Sequence, residues 1–298
     1  MKWEAGDWEN SRIIDEGKEA MSDTIQSMKI AAPSLSGWGR FKQRGREALT
    51  NRGRELMAYA SCYSRSRPAG QARVVIFAQG RTGSTLLESL LASSGHFRAH
   101  GELLNCSRGE VVSPLRYIRG LSKRQPGNFI FHVKVYQLTR DRKRPIDPAA
   151  FIKTLHEEGW KILYLRRENK VKHVLSNIVA HARGRYHKQN DERERIQVAI
   201  DCGDFARGVR ERLAFEERER EVLRDVPHHE VVYETDLERS DAQQRTADGV
   251  FDFLGLERRA VSTSHRKVNT TPVEELISNY DEVLRCLEEN GWRGFVEG

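Results

Sequence analysis

The 298-residue sequence has few cysteines and no long hydrophobic run. Its four cysteines, Cys62, Cys106, Cys202 and Cys286, include no C-x-x-C pair, so we expect ordinary thiols without a disulfide framework or a zinc site. No stretch approaches the roughly 18 consecutive apolar residues of a membrane helix. The start, Met1-Lys2-Trp3-Glu4, lacks the basic-then-apolar pattern of a signal peptide. We therefore expect no transmembrane segment and a cytoplasmic location.

Charged residues are abundant instead, at 31% of the chain against 38% hydrophobic residues. At this length that apolar share is enough for a core, which argues against wholesale disorder and predicts one large domain or two modest ones. The formal net charge is +7, from 50 Lys and Arg against 43 Asp and Glu. A partner of opposite charge is therefore worth considering.

The positive charge is concentrated in residues 37–73, which we call the basic segment. Its nine basic residues are Arg40, Lys42, Arg44, Arg46, Arg52, Arg54, Arg65, Arg67 and Arg73. Only Glu47 and Glu55 oppose them. Such a segment binds a polyanion, a membrane surface or an anionic substrate, or it is simply a solvated helix face. The sequence leaves both interpretations open.

The pattern of the chain predicts an N-terminal extension over 1–72, irregular or helical, and an α/β domain over 73–298. Short apolar runs typical of strands buried on both faces are Val74–Ala78, Phe129–Val133, Lys161–Leu165 and Glu230–Tyr233. Predicted helices are Ser84–Ser94, Pro148–Glu158, Asn169–Tyr186, Phe205–Arg224, Asp241–Leu254 and Pro272–Glu289. This alternation predicts a mostly parallel central sheet flanked by helices. The mixed charges of 187–224 predict a solvent-facing helical excursion.

The most informative segment is the turn after the first strand, Gly80-Arg81-Thr82-Gly83, which opens a helix at Ser84-Thr85. Backbone N–H groups, hydroxyls and a positive helix end converge there, which suits a phosphate or sulfate. A plain helix N-terminus is the alternative. The turn is not a Walker A motif, because Ser84 stands where that motif has lysine. The strand 161–165 also runs into Arg166-Arg167 where a nucleoside triphosphatase needs an aspartate for magnesium, so ATP hydrolysis is disfavoured.

Arg81-Thr82-Gly83-Ser84-Thr85-Leu86-Leu87 resembles the phosphosulfate loop of sulfotransferases that use 3′-phosphoadenosine 5′-phosphosulfate (PAPS), especially their bacterial and carbohydrate-acting branch. The pair Arg167 and Ser176 resembles the family's second signature, which grips the donor's 3′-phosphate. Three further segments resemble the family in the expected order: Tyr233–Leu237, Phe253–Leu256 and Arg266–Asn269 with Ile277–Tyr280. The resemblance covers roughly 73–291 and implies a P-loop-like phosphosulfate-binding loop on an α/β fold.

The resemblance also implies a set of donor-binding residues. They are Arg81, Thr82, Gly83, Ser84 and Thr85 at the 5′-phosphosulfate, Arg167 and Ser176 at the 3′-phosphate, Tyr233 near the adenine, and Arg266 and Lys267 as a flap. Two of these roles have simpler alternatives. Core filling is the favoured interpretation of Tyr233, and a basic surface loop explains Arg266 and Lys267 equally well.

In the family an acceptor hydroxyl attacks sulfur in line, 3′-phosphoadenosine 5′-phosphate (PAP) leaves, and no metal is needed. Arg81 is then the main stabiliser of developing charge, with Lys134 a second candidate. Glu102 matches the glutamate of a Gly-Glu-Pro segment that serves as general base in bacterial relatives, although Leu103 replaces the proline. A histidine base, His100 or His132, is the alternative.

The leading hypothesis from the sequence is therefore a PAPS-dependent sulfotransferase acting on a hydroxyl of a small molecule or glycan. A nucleotide kinase on a related loop fold and a non-catalytic polyanion binder that uses the basic segment are the alternatives. Few aromatic residues accompany those bases, so we expect no nucleic-acid partner. The sequence leaves a homo-oligomer open.

Overall fold

The structure is a computed structural model that describes residues 37–66, 68, 70–182, 197–263, 275 and 277–297. The chain divides into two compact units, residues 1–49 and 50–298. In the first unit, residues 37–49 form helix. Apart from residues 37–49, everything described below belongs to the second unit. None of the helices in the described ranges has the length and hydrophobicity of a membrane span.

The described residues form a parallel five-stranded sheet in the order β2-β3-β1-β4-β5. The strands are β1 (Arg73–Ala78), β2 (Phe97–Glu102), β3 (Asn128–Val133), β4 (Lys161–Arg166) and β5 (His228–Val232). The helices are α1 (Gly37–Ser64), α2 (Ser84–Ser93), α3 (Pro114–Arg124), α4 (Val135–Leu138), α5 (Pro148–Glu157), α6 (Lys170–Ala182), α7 (Cys202–Leu223), α8 (Ser240–Leu254), α9 (Tyr280–Glu289) and α10 (Gly294–Glu297). A 3₁₀ turn spans Cys106–Arg108 and a π-helical turn spans Tyr233–Leu237. The predicted α/β class with a parallel sheet is confirmed.

Both faces of the sheet are covered, as the continuous apolar runs predict. Along β1, Val75 and Phe77 enter one core cluster with Trp160 and side chains of α3 and α5. Val74 and Ile76 enter a second cluster with α2 and α8 on the other face. All six residues of β1 are buried, which is why this strand has no polar alternation.

The strand order places β1 and β4 side by side at the centre of the sheet. The chain leaves β1 towards β2 at one edge of the sheet, and it leaves β4 towards β5 at the other edge. Open α/β sheets bind ligands where neighbouring connections diverge in this way, at the carboxyl ends of the strands. The turn after β1 and the start of α6 therefore lie at the favoured position for a site.

The prediction of four ordinary thiols is wrong for two of them. Cys202, at the start of α7, and Cys286, in α9, form a disulfide with their Cα atoms 6.0 Å apart. Spacing rules missed it because only the tertiary packing of α7 and α9 brings these residues together. Cys62 and Cys106 are free. Disulfides are rare in the cytosol, so this one counts against the cytoplasmic location, which stays a prediction.

Several element predictions need correction. β2 and α3 were not predicted, and the predicted helix from Pro272 is too long, because Ile277 bridges to Val198 and α9 begins at Tyr280. Within 187–224, α7 is not a solvent-facing excursion. It buries an apolar face and two glutamates, Glu216 and Glu219. Residues 183–196 and 264–274 lie outside the described residues.

Candidate functional site

The turn between β1 and α2 is held from both sides. The backbone N–H of Gly80 donates to the Tyr136 hydroxyl at 3.0 Å, and the Gly80 carbonyl lies 2.6 Å from Nε2 of His173. The buried Thr82 hydroxyl donates to the Gln79 carbonyl at 2.7 Å. Arg81 is the one non-glycine residue of the described ranges with positive φ, at 69°. Such conformations are costly and persist only where the surroundings fix them.

Gly83 ends the turn in a left-handed conformation, with φ 95°, and caps α2. A Cβ on Gly83 would lie 2.8 Å from Cδ2 of Tyr233, so the glycine lets the Tyr233 ring approach the turn. Ser84 is buried in the first turn of α2, and Thr85 is half-buried beside it. The first N–H groups of a helix lack carbonyl partners within it, and they make a favourable end for an anion.

Arg81 reaches across from β1 to the element after β4. Its Nη2 donates to the Ser176 hydroxyl at 3.3 Å, and Nη1 of Arg167 donates to the Arg81 carbonyl at 3.4 Å. The Arg167 guanidinium, 8% exposed, lies 4.7 Å from the centre of the Tyr233 ring. Arg81 thus contacts both residues predicted at the 3′-phosphate.

Glu234 positions Arg167 and was given no role in the sequence analysis. One of its carboxylate oxygens lies 3.4 Å from Nε of Arg167. The carboxylate also accepts the backbone N–H groups of Glu168 and Asn169, at 2.9 and 3.1 Å. In the sequence, the only indication of a role for Glu234 is its position beside Tyr233 in the segment Tyr233–Leu237.

Glu102 and Lys134 form an ion pair at the ends of β2 and β3, with Nζ 2.6 Å from Oε1. The other carboxylate oxygen accepts from Gln137 at 2.7 Å and from Asn105 at 3.1 Å. Burial alone would raise the pKa of Glu102, but Lys134 and these hydrogen bonds hold the pKa below its ordinary value. Nζ of Lys134 would lie 3.3 Å from a Cβ on Gly80, so the pair borders the turn.

A buried carboxylate that the sequence analysis missed, Glu88 of α2, connects α2 to the end of β2. Its Oε1 accepts the backbone N–H groups of His100 and Gly101, at 3.0 and 2.8 Å. Its Oε2 lies 3.4 Å from Nε2 of His132, and both side chains are about 95% buried, with 4% and 5% exposed. Glu88 thereby fixes the backbone of His100 and Gly101, the two residues before Glu102.

Of the two histidines proposed as alternative bases, His132 is buried and His100 is partly buried. His132 faces Glu88, and His100 stacks on Phe129 with ring centres 4.1 Å apart. Burial lowers the pKa of His100. Of the three candidates, Glu102 pairs with Lys134, the residue that borders the turn.

A polar layer lies beneath the turn. The Gln79 amide donates to the Glu219 carboxyl at 3.2 Å, and the Tyr164 hydroxyl donates to the same oxygen at 3.4 Å. Burial raises the pKa of Glu219 to about 8. His173 is fully buried, and desolvation holds its pKa well below the usual value, so its neutral ring donates Nε2–H to the Gly80 carbonyl.

The structure gathers most of the predicted site residues at the carboxyl edge of the sheet. These are Arg81, Thr82, Gly83, Ser84, Thr85, Arg167, Ser176, Tyr233, Glu102 and Lys134. Arg266 and Lys267 lie outside the described residues. Two arginines, the hydroxyls of Ser84, Thr85 and Ser176, and a helix N-terminus lie next to a carboxylate–lysine pair. This combination suits an anionic ligand and a proton transfer.

No known protein-family model matches the chain, and no curated protein has a significantly similar sequence.

Proposed function

We propose that the protein is a sulfotransferase that moves a sulfuryl group from PAPS to a hydroxyl, most plainly one on a carbohydrate or glycoconjugate. The observation that carries the proposal is the contact of Arg81 with both Ser176 and Arg167 across β1 and β4. Two phosphate-bearing ends of one donor need two anion-binding groups a short distance apart. The arginine of the turn and the pair after β4 meet that need.

The donor's 5′-phosphosulfate takes the P-loop-like turn, with Arg81, Ser84, Thr85 and the N–H groups of α2 as donors. Arg167 and Ser176 take the 3′-phosphate. Arg81 donates a hydrogen bond to Ser176 in the structure, and both side chains turn to the ligand when it binds. The adenine stands near Tyr233, whose ring is already fixed between Gly83 and Arg167.

In the proposed reaction the acceptor oxygen forms a bond to sulfur while the bond from sulfur to the bridging phosphate oxygen breaks. PAP leaves with the bonding electrons, and the acceptor proton passes to Glu102. The lowered pKa keeps Glu102 ionised at neutral pH, as a base must be. Lys134 holds the carboxylate in place beside Gly80 and adds positive charge where negative charge develops on the leaving group. Independence of a metal stays a prediction.

Transfer of ³⁵S from labelled PAPS to a panel of oligosaccharides and glycoconjugates tests the proposal. We expect Glu102→Gln to keep its PAP affinity and lose about 100-fold or more in transfer rate, because it cannot take the proton. Arg81→Ala should lose donor binding as well. Glu217→Gln and Arg258→Ala, exposed residues of the same types, are the matched controls. Full transfer activity in both site variants would refute the proposal, and magnesium-dependent ATP turnover without response to PAPS would favour a kinase.

A further inference from the structure

Helix α1 presents large hydrophobic side chains to solvent. Leu56, Met57 and Tyr63 are 67%, 57% and 72% exposed, and they are three of the five large hydrophobic residues exposed in the described ranges. Leu56 and Tyr63 are seven positions apart, so they share one side of the helix, and Met57 adjoins Leu56. We call these three residues the apolar face.

The apolar face is exposed on a firmly packed helix. On the opposite side Ala58 is fully buried, and a Cβ on Gly120 of α3 would lie 1.8 Å from the Ala58 carbonyl oxygen. The Glu55 carboxylate accepts the Val112 N–H at 2.7 Å, and the Tyr59 hydroxyl accepts the Ser113 N–H at 2.8 Å. These contacts fix which side of α1 faces out.

Basic side chains are concentrated on α1 and on α3, the helix that packs against it. Residues 50–66 and α3 together carry seven basic side chains, Arg52, Arg54, Arg65, Arg116, Arg119, Lys123 and Arg124, against one acidic side chain, Glu55. Arg116 reaches over the ring of Tyr63, 5.9 Å from its centre. Within the described ranges, Arg65, Arg116 and Arg124 pair with no carboxylate. Exposed arginines elsewhere, such as Arg218, Arg239 and Arg258, do form such pairs.

We propose that the apolar face and its surrounding arginines dock on an anionic lipid surface. Helices that lie on membranes combine exposed Leu, Met or aromatic side chains with Lys and Arg, because the apolar groups enter the interface while the cations meet lipid phosphates. A free polyanion would use the cations but would gain nothing from Leu56 and Met57. A second copy packed symmetrically on this face would oppose its own arginines, an arrangement that like charges disfavour. None of the residues of this surface is among the candidate site residues.

Co-sedimentation of the full chain with lipid vesicles tests the proposal. The vesicles are phosphatidylcholine alone or with 30% phosphatidylserine, a composition on the order of an anionic leaflet. We expect binding to the anionic vesicles that weakens with added salt. Leu56→Ser/Met57→Ser should weaken it at least tenfold. Arg65→Gln/Arg116→Gln should weaken it by about fivefold per arginine. Leu213→Ser and Arg218→Gln, exposed residues of α7, should bind like the parent.

Three results would overturn the proposal. Vesicle binding that survives both double substitutions would place the contact elsewhere. Heparin binding that depends on the arginines, with the Leu56→Ser/Met57→Ser protein unchanged on vesicles, would show a polyanion surface. A dimer in sedimentation velocity that Leu56→Ser/Met57→Ser dissociates would show a contact between copies. PAP affinity, measured in parallel, should be unchanged in every variant, so failure here is distinct from failure of the proposed function.

Discussion

At the scale of single residues, the candidate site is built on ionisable side chains that are almost fully buried. Glu88, Glu219 and His173 each face specific hydrogen-bonding partners, and none stands in a motif matched from the sequence. A buried polar group without a hydrogen-bond partner destabilises the fold. Replacing any of these residues should therefore change the free energy of unfolding measurably.

We predict that Glu88→Ala lowers the free energy of unfolding by about 3 kcal/mol, because two buried N–H groups lose their acceptor. Glu88→Gln should cost less, since its amide oxygen still accepts from His100 and Gly101. Urea unfolding measures both. The exposed Glu217→Ala is the control, and we expect it to change stability by less than about 0.5 kcal/mol. An alanine variant as stable as the control would show that the two backbone bonds are unimportant.

Glu219 predicts a pH dependence of stability. Burial raises its pKa from the ordinary 4.5 to about 8, against the hydrogen bond from Gln79 and the charge of Lys170, so the folded chain holds a proton that the unfolded chain releases. This contribution is fully present below about pH 4.5 and is lost as pH rises through about 8. The slope is on the order of 1 kcal/mol per pH unit at most.

We therefore expect Glu219→Gln to lose less stability than the parent between pH 5 and pH 8, when urea unfolding is repeated across that range. The amide keeps the shape of the protonated carboxyl and cannot ionise. Glu217→Gln, on the solvent side of the same helix, should follow the parent. Parallel curves for the parent and Glu219→Gln would mean that Glu219 does not titrate as described.

At the scale of elements, the Cys202–Cys286 disulfide fixes α7 to α9. Both helices contribute to the cluster that surrounds α6, the helix that carries Ser176. Closing a loop with a sequence separation of 84 constrains the unfolded chain strongly, by about 4.6 kcal/mol in the entropic account.

We predict that Cys202→Ser/Cys286→Ser lowers stability by about 2–4 kcal/mol in the absence of reductant. The parent should fall to a similar value in excess dithiothreitol, as thermal unfolding measures. Cys62→Ser/Cys106→Ser removes the two free thiols and should leave that response to dithiothreitol intact. A parent protein that unfolds at the same temperature with and without dithiothreitol would contradict the disulfide.

At the scale of the whole molecule, the sheet was predictable where strands are buried on both faces. β1, β3 and β4 are nearly continuous apolar runs because helices cover both sides. β2, Phe97–Glu102, lies at the sheet edge and exposes Arg98 and Ala99, so it has no apolar run to recognise. The many charged residues of α7 likewise leave no clear apolar pattern in its sequence, although one face of the helix is buried.

The site was predictable only where consecutive residues carry it. The turn from Gly80 to Thr85 and the Arg167–Ser176 pair stand in local patterns, and the fold places them together. Glu88 and His173 are single residues whose importance arises from contacts with distant backbone. Local sequence cannot reveal such contacts, and it could not reveal the disulfide either.

The most direct test of the donor site is calorimetric binding of PAP, against ATP without magnesium, to the parent, Arg167→Ala and Arg166→Ala. Arg166 is the matched control because its guanidinium pairs with Glu168 and Glu230 and not with the turn. We predict that PAP binds the parent more tightly than ATP, that Arg167→Ala weakens PAP at least tenfold, and that Arg166→Ala leaves it unchanged. Absent PAP binding, or equal affinities in the parent and Arg167→Ala, would contradict the proposed site.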